Sequence, residues 1–199
     1  MRGAILAALA AFVIATAIKA LRAPWATDAF PEELLIKVEQ LPLLFPVHMI
    51  TGGLALLLVP AAILLNTRPR WHRPVARLAA VDVALAGITA FPVAWVEPVT
   101  TASALGFSAQ GALWLVLLAL GIRAIRQGNR QMHRACMLLM AAATSGALFF
   151  RVYLALFAML GSYRHYLLFY ACDAWLAWGL PVALTALWLQ RTGGFPAKA

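Results

Sequence analysis

Six long apolar stretches limit the folds that this chain can adopt. They cover about residues 5–21, 45–65, 78–96, 105–125, 133–160 and 167–189. A helix of ~20 apolar residues crosses the hydrocarbon core of a bilayer, and backbone polar groups in lipid must be paired inside a helix or a closed barrel. Because the runs are continuous rather than alternating, the sequence predicts an all-α integral membrane bundle of six transmembrane helices, in one domain over residues 1–199.

The basic residues predict the orientation of this bundle. With the N-terminus inside, the inner segments hold most of the arginines and the outer segments hold five of the seven acids, Asp28, Glu32, Glu33, Glu39 and Glu97. An excess of Lys and Arg on cytoplasmic loops sets membrane orientation. We therefore expect cytoplasmic N- and C-termini in a bacterial inner membrane. The net charge of +9 is dispersed between spans, which argues against nucleic acid as a partner and leaves the lipid bilayer as the expected one.

Residues 22–43 mix charged residues with proline and leucine, and are predicted to form an external loop that includes an amphipathic turn at the interface. The first apolar stretch also fits a cleavable signal peptide. We favour an uncleaved first helix, because its direction agrees with every later span.

The histidines form pairs on the predicted topology. His72 and His133 fall at the inner surface, whereas His48 and His165 fall on the outer side. A low-spin haem takes axial imidazoles from two segments, so this arrangement indicates haem b. The alternative is that histidines in basic loops are interfacial residues that contact lipid headgroups.

Neighbouring residues suit the same cofactor. Gly52 lies on the face of His48, one turn further along, and would leave room for a flat macrocycle. Arg73 and Arg134, each next to a histidine, would pair with haem propionates. The alternative is that Gly52 only allows close helix packing, as glycines on membrane helices commonly do.

A second group of polar residues lies in the outer half of the bundle. Arg151 and Asp173 belong to consecutive spans joined by a short turn, so they are predicted to pair, and Gln110 and Thr51 would complete a polar pocket. Charged residues inside a membrane usually face a partner or a wet cavity. The alternative is a buried ion pair that only sets the register of the helices.

Four segments of the chain together resemble a known family. They are HMITGGLALLLVP from His48, RPRWHRPVARL, GFSAQGALWL from Gly106, and RQMHRACMLLMAAATSGALFFRVYL. In order, they are similar to the blocks of a bacterial family of multi-pass membrane proteins known only as a predicted domain of unknown function. The resemblance covers about residues 45–160. It singles out as site residues His48, Gly52, His72, Arg73, Arg77, His133, Arg134 and Arg151.

Three functions remain open from the sequence. The leading hypothesis is a b-type haem protein that transfers electrons with a quinol or a membrane-complex partner, with His48, His72 and His133 as iron ligands. The second is a transporter or a binder of anionic small ligands that uses Arg151 and Asp173. The third is an accessory or assembly subunit of a membrane complex. No nucleotide-binding glycine loop, zinc-binding His-Glu motif or serine elbow occurs in the sequence, and whether the protein is an enzyme is left open.

Overall fold

The computed structural model describes residues 2–25 and 32–196, and these residues form helices joined by short connections. The helices are α1 Arg2–Arg22, α2 Glu32–Gln40, α3 Leu44–Leu64, α4 Pro69–Trp95, α5 Thr101–Arg126, α6 Arg130–Thr144, α7 Gly146–Leu160 and α8 Tyr166–Arg191. Within residues 2–25 and 32–196, six segments are long and apolar enough to cross a membrane, with α6 and α7 together making one of them. The predicted fold class, a bundle of six candidate membrane-spanning helices, is confirmed.

Two stretches differ from the predicted boundaries. α4 begins at Pro69, nine residues before the predicted span, because proline suits the first helical position, where its missing N–H is not needed. The predicted loop at residues 22–43 contains the short helix α2, while its residues 26–31 lie outside the described residues.

The chain divides into two compact units, Met1–Glu97 and Pro98–Ala199. In the first unit α3 packs against α1 and against α4, and in the second unit α8 packs against α5, α6 and α7. The cores of both units consist mostly of small side chains, which allow helix backbones to approach closely in a membrane. Fully buried examples are Ala17, Ala55, Ala86, Ala104, Ala135, Ala143 and Ala174.

Gly106 shows how tight this packing is. A Cβ added at this position of α5 would lie 2.8 Å from the carbonyl oxygen of Ala174 in α8. Only glycine allows the two helices to approach this closely. α5 itself is started by a capping box, in which the Thr100 hydroxyl accepts from the Ser103 amide and the Ser103 hydroxyl accepts from the Thr100 amide.

Lys37 joins α2 to the end of α4. Its ammonium group donates to the carbonyl oxygen of Val93 at 3.0 Å and to that of Val96. The last carbonyls of a helix have no partner within the helix, so the lysine satisfies two of them. Partial burial lowers the pKa of Lys37, and the nearby Glu97 carboxylate opposes this shift.

Candidate functional site

His72 is the fourth residue of α4 and reaches back across the turn to α3. Its Nδ1 lies 2.9 Å from the carbonyl oxygen of Ala62, in the last turn of α3. A carbonyl only accepts hydrogen bonds, so Nδ1 carries the proton that it donates. In the neutral imidazole, Nε2 then holds the free lone pair.

His133 makes the same contact in the second unit. It is the fourth residue of α6, and its Nδ1 lies 2.9 Å from the carbonyl oxygen of Gly121 in α5. A Cβ added at Gly121 would collide with the Met137 side chain and lie 3.3 Å from the Cβ of Cys136. Glycine at this position therefore lets α6 come close enough for the histidine to reach the α5 backbone.

The same contact occurs in both helical hairpins, α3–α4 and α5–α6, and the sequence analysis did not predict it. Each hairpin places a His-Arg step in the first turns of its second helix, and each histidine bonds a backbone carbonyl of the first helix. The following arginines, Arg73 and Arg134, are exposed, as is Arg77. The only signal in the sequence was the shared His-Arg dipeptide. His72 and His133 belong to different units, so their predicted juxtaposition stays a prediction.

His48 has the same orientation in the interior of the first unit. Its Nδ1 lies 3.2 Å from the Ala86 carbonyl oxygen and 3.2 Å from the Thr89 hydroxyl oxygen, both in α4. The Thr89 hydroxyl donates its own proton to Leu85 at 2.7 Å. Both contacts of His48 therefore require a proton on Nδ1, which again leaves the lone pair on Nε2. Thr89 is a site residue that the sequence analysis missed, since an isolated threonine in an apolar span carries no distinctive signal.

Gly52 and Thr51 lie on α3 near His48. A Cβ added at Gly52 would meet nothing within 4 Å, so this glycine borders open space rather than a packed helix. The Thr51 hydroxyl is buried and donates to the carbonyl oxygen of Val47 on its own helix at 2.7 Å. Thr51 lies in the first unit and Gln110, Arg151 and Asp173 lie in the second, so the four-residue pocket stays a prediction.

Arg151 and Asp173, which were predicted to pair, share no hydrogen bond in the described part of the chain. Arg151 Nη1 donates to the carbonyl oxygen of Ala147, one turn earlier on α7, at 2.6 Å. Both carboxylate oxygens of Asp173 are buried and have no hydrogen-bond partner among the described residues. The two residues lie on α7 and α8, which pack against each other. Whether their side chains meet depends on the rotation of each helix about its axis.

Gln110 has a structural contact within the second unit. Its amide nitrogen donates to the carbonyl oxygen of Ala143 at 2.9 Å, in the last turn of α6. The backbone N–H of Ser145, which ends α6, also reaches this carbonyl, and the Gln110 amide adds a donor from another helix. Gln110 therefore links α5 to the end of α6.

Asp173 instead lines an open groove of about 460 Å³ between α7 and α8, which is called the cavity below. The other lining residues include aromatic side chains, leucines and one thiol, but neither Arg151 nor Gln110. They are Tyr153, Leu156, Phe157, Leu160, Gly161, Phe169, Cys172 and Leu176. Of the residues predicted from sequence to bind a ligand, Asp173 is the one that lines this cavity.

Within the described residues, no group of three or more His, Cys, Asp or Glu side chains could hold a metal ion. A haem iron needs only one or two protein ligands, because the macrocycle occupies its other positions. The chemistry that the three histidines can offer is therefore axial ligation through Nε2, rather than a metal centre built from protein ligands alone.

Comparison with known proteins shows which family the chain belongs to. No curated protein and no solved structure matches the sequence. Residues 45–189 match the family model described as Predicted membrane protein (DUF2306), a domain of unknown function. Since this match covers most of the chain, the protein belongs to the DUF2306 family of predicted membrane proteins.

Proposed function

We propose that the protein is a b-type haem carrier of a bacterial inner membrane, with both termini in the cytoplasm, that exchanges electrons with a quinol or a protein partner. His48, His72 and His133 are the candidate axial ligands. One observation carries the proposal: all three histidines donate from Nδ1 to a backbone carbonyl.

This shared geometry is the one that suits metal ligation. A metal-binding histidine usually donates its other ring N–H to a carbonyl or carboxylate, which sets the tautomer and the ring orientation. Here the α3 and α5 carbonyls hold the imidazoles of His72 and His133, and Nε2 is the nitrogen left for iron. A histidine that served only at the lipid surface would not need the same tautomer at three separate positions.

The surroundings of the histidines also suit haem. Arg73, Arg77 and Arg134 are exposed near the two inner histidines and would neutralise propionates through charge-assisted hydrogen bonds. Open space beside Gly52, one turn from His48, would admit the edge of a macrocycle. Bound haem would supply one-electron transfer, while these residues hold it and balance its charge.

An absorption spectrum tests the proposal. The protein is produced with ample haem, purified, and measured in the oxidised and the dithionite-reduced state. We expect a Soret band that shifts on reduction, with the sharp reduced bands of a b-type centre. A protein that folds but shows no reducible Soret band would refute the assignment.

Asparagine variants separate ligation from folding. The Asn side-chain amide can replace the Nδ1–H donor but offers no nitrogen at the Nε2 position. His72→Asn and His133→Asn should therefore keep the helix contact yet reduce or abolish the haem spectrum. The matched control is His165→Asn, at an exposed histidine between α7 and α8; its spectrum should equal that of the wild type.

A further inference from the structure

The second inference concerns the cavity between α7 and α8, which the proposed haem function does not use. Its carboxylate, Asp173, is the eighth residue of α8 and lies ~10 Å along the helix from its first residue. The residue is only 2% exposed, and both carboxylate oxygens lack a hydrogen-bond partner among the described residues. A buried carboxylate without partners is costly, and such groups inside membranes are usually functional.

From this geometry we propose that the cavity binds a lipophilic ammonium ion, a molecule with an apolar body and a protonated amine, which enters from the membrane phase. The ammonium group would donate to the carboxylate of Asp173 after a turn of this side chain toward the cavity, because both oxygens are shielded in this structure. The residues that line the cavity include no Lys, Arg or His. Arg151 bonds the backbone of its own helix instead, so a cation at Asp173 would have to come from the ligand.

The walls of the cavity suit both parts of such a ligand. Phe157 and Phe169 stack with their ring centroids 4.2 Å apart, and Tyr153 lies on the same side of α7 as Phe157, one turn earlier. Aromatic faces attract cations, most strongly where water is excluded. A volume of about 460 Å³ lies within the range of small-molecule sites, roughly 300–1,000 Å³.

The rim of the cavity explains why the ligand is expected from the lipid. Leu160 is 83% exposed, Leu176 is 56% exposed and Leu156 is 43% exposed, and all three line the cavity. On a membrane-spanning helix these exposed leucines face acyl chains. A hydrophobic amine dissolved in the bilayer could thus reach Asp173 without crossing a polar surface.

Cys172 provides a direct assay, because this exposed thiol lines the cavity whereas Cys136 is buried. The full-length protein, in phosphatidylcholine nanodiscs near neutral pH, is alkylated with N-ethylmaleimide, and the rate at each cysteine is followed by mass spectrometry. The probes are dodecylammonium, dodecanol and dodecanoate. We expect dodecylammonium alone to slow the alkylation of Cys172 severalfold, while the buried Cys136 should stay unmodified as long as the protein is folded.

Two aspartate variants show whether the carboxylate is responsible. Asp173→Asn preserves the shape of the side chain and should raise the dodecylammonium concentration needed for half protection at least about tenfold, since it removes one partner of a buried charge pair. Asp82→Asn is the matched control, because Asp82 is also buried, has one oxygen without a hydrogen-bond partner in the described part of the chain, and lies in the other unit. It should leave protection unchanged.

Several results would overturn the proposal. One is that dodecylammonium does not protect Cys172 from alkylation. Another is that dodecanol or dodecanoate protects it as well as dodecylammonium does. A third is that dodecylammonium protects Asp173→Asn as well as the wild type. Protection by phosphatidylethanolamine added to the nanodiscs, without any by dodecylammonium, would assign the site to a lipid headgroup instead. If Asp173→Asn does not fold, the comparison of dodecylammonium with dodecanol on the wild type still decides the question. The haem spectrum plays no part in this assay, so either proposal can fail alone.

Discussion

The polar residues inside the spans differ in what their hydrogen bonds connect. His48 and Gln110 bond the backbone of a neighbouring helix, whereas Thr51 and Arg151 bond a carbonyl of their own helix. Sequence analysis selected all four because polar groups are rare and costly in apolar spans. It had no means of assigning their partners, because a partner is fixed by the rotation of a helix about its axis.

This difference predicts opposite effects of two substitutions. Arg151→Met keeps the length of the side chain and removes a guanidinium that costs about 3 kcal/mol inside a membrane on insertion scales. Its hydrogen bond to Ala147 joins no second helix. We expect the thermal unfolding midpoint in detergent to stay the same or rise.

Gln110→Met is the comparison for Arg151→Met. It removes the hydrogen bond that links α5 to the Ala143 carbonyl at the end of α6, and the loss of such a bond costs about 0.5–1.5 kcal/mol. The unfolding midpoint should therefore fall by several degrees. A drop for Arg151→Met as large as that for Gln110→Met would show that the arginine holds the fold together.

The helices were predictable to different extents. Continuous apolar runs predicted all six spans, and the structure extends α4 to Pro69 and α5 to Thr101 because Pro69 and the Thr100 capping box start these helices among polar residues. A hydropathy pattern detects only the part of a helix that lies in lipid. Helical turns at the membrane surface, such as the one that carries His72, have polar composition and resemble loops.

Helix packing at Gly121 leads to a test of the second hairpin. In Gly121→Ala the new methyl group would meet the end of the flexible Met137 side chain, which can turn away, and would lie 3.3 Å from the Cβ of Cys136, which can give way only if α6 shifts. Overpacking of this kind costs about 1–3 kcal/mol. We expect a lower unfolding midpoint by circular dichroism in detergent.

Gly52→Ala is the matched control, because a Cβ there would meet nothing within 4 Å. Its unfolding midpoint should stay the same or rise by about 2–4 °C, since alanine is favoured over glycine in a helix by about 1 kcal/mol. Equal losses in the two variants would mean that α5 and α6 do not approach each other as closely as described.

At the level of the whole chain, charge rather than packing predicts the arrangement in the bilayer. Six predicted spans would place both termini on the same side, together with the arginine-rich connections before α4 and α6. Positive charge is retained in the cytoplasm during insertion. The orientation is therefore a prediction from composition and from the number of spans.

Reporter fusions test this orientation. We expect green fluorescent protein fused after residue 199 to fluoresce in a bacterial host, because it folds in the cytoplasm. Alkaline phosphatase inserted between Glu97 and Pro98 should be active, because that connection is predicted to lie outside. The reverse pattern at both positions would invert the topology and would place His72 and His133 on the outer side.

Apolar length, charge asymmetry and a few motifs were enough to identify the membrane class, the number of spans, the family and the residues worth testing. These properties depend on each residue's own transfer free energy and on its neighbours along the chain. Tertiary structure decided the rest: the common tautomer of three histidines, the absence of the Arg151–Asp173 hydrogen bond, and the cavity that Asp173 lines. Such features depend on how one helix is turned toward the next. That rotation follows from the packing of many small side chains at once, and no single position in the sequence encodes it.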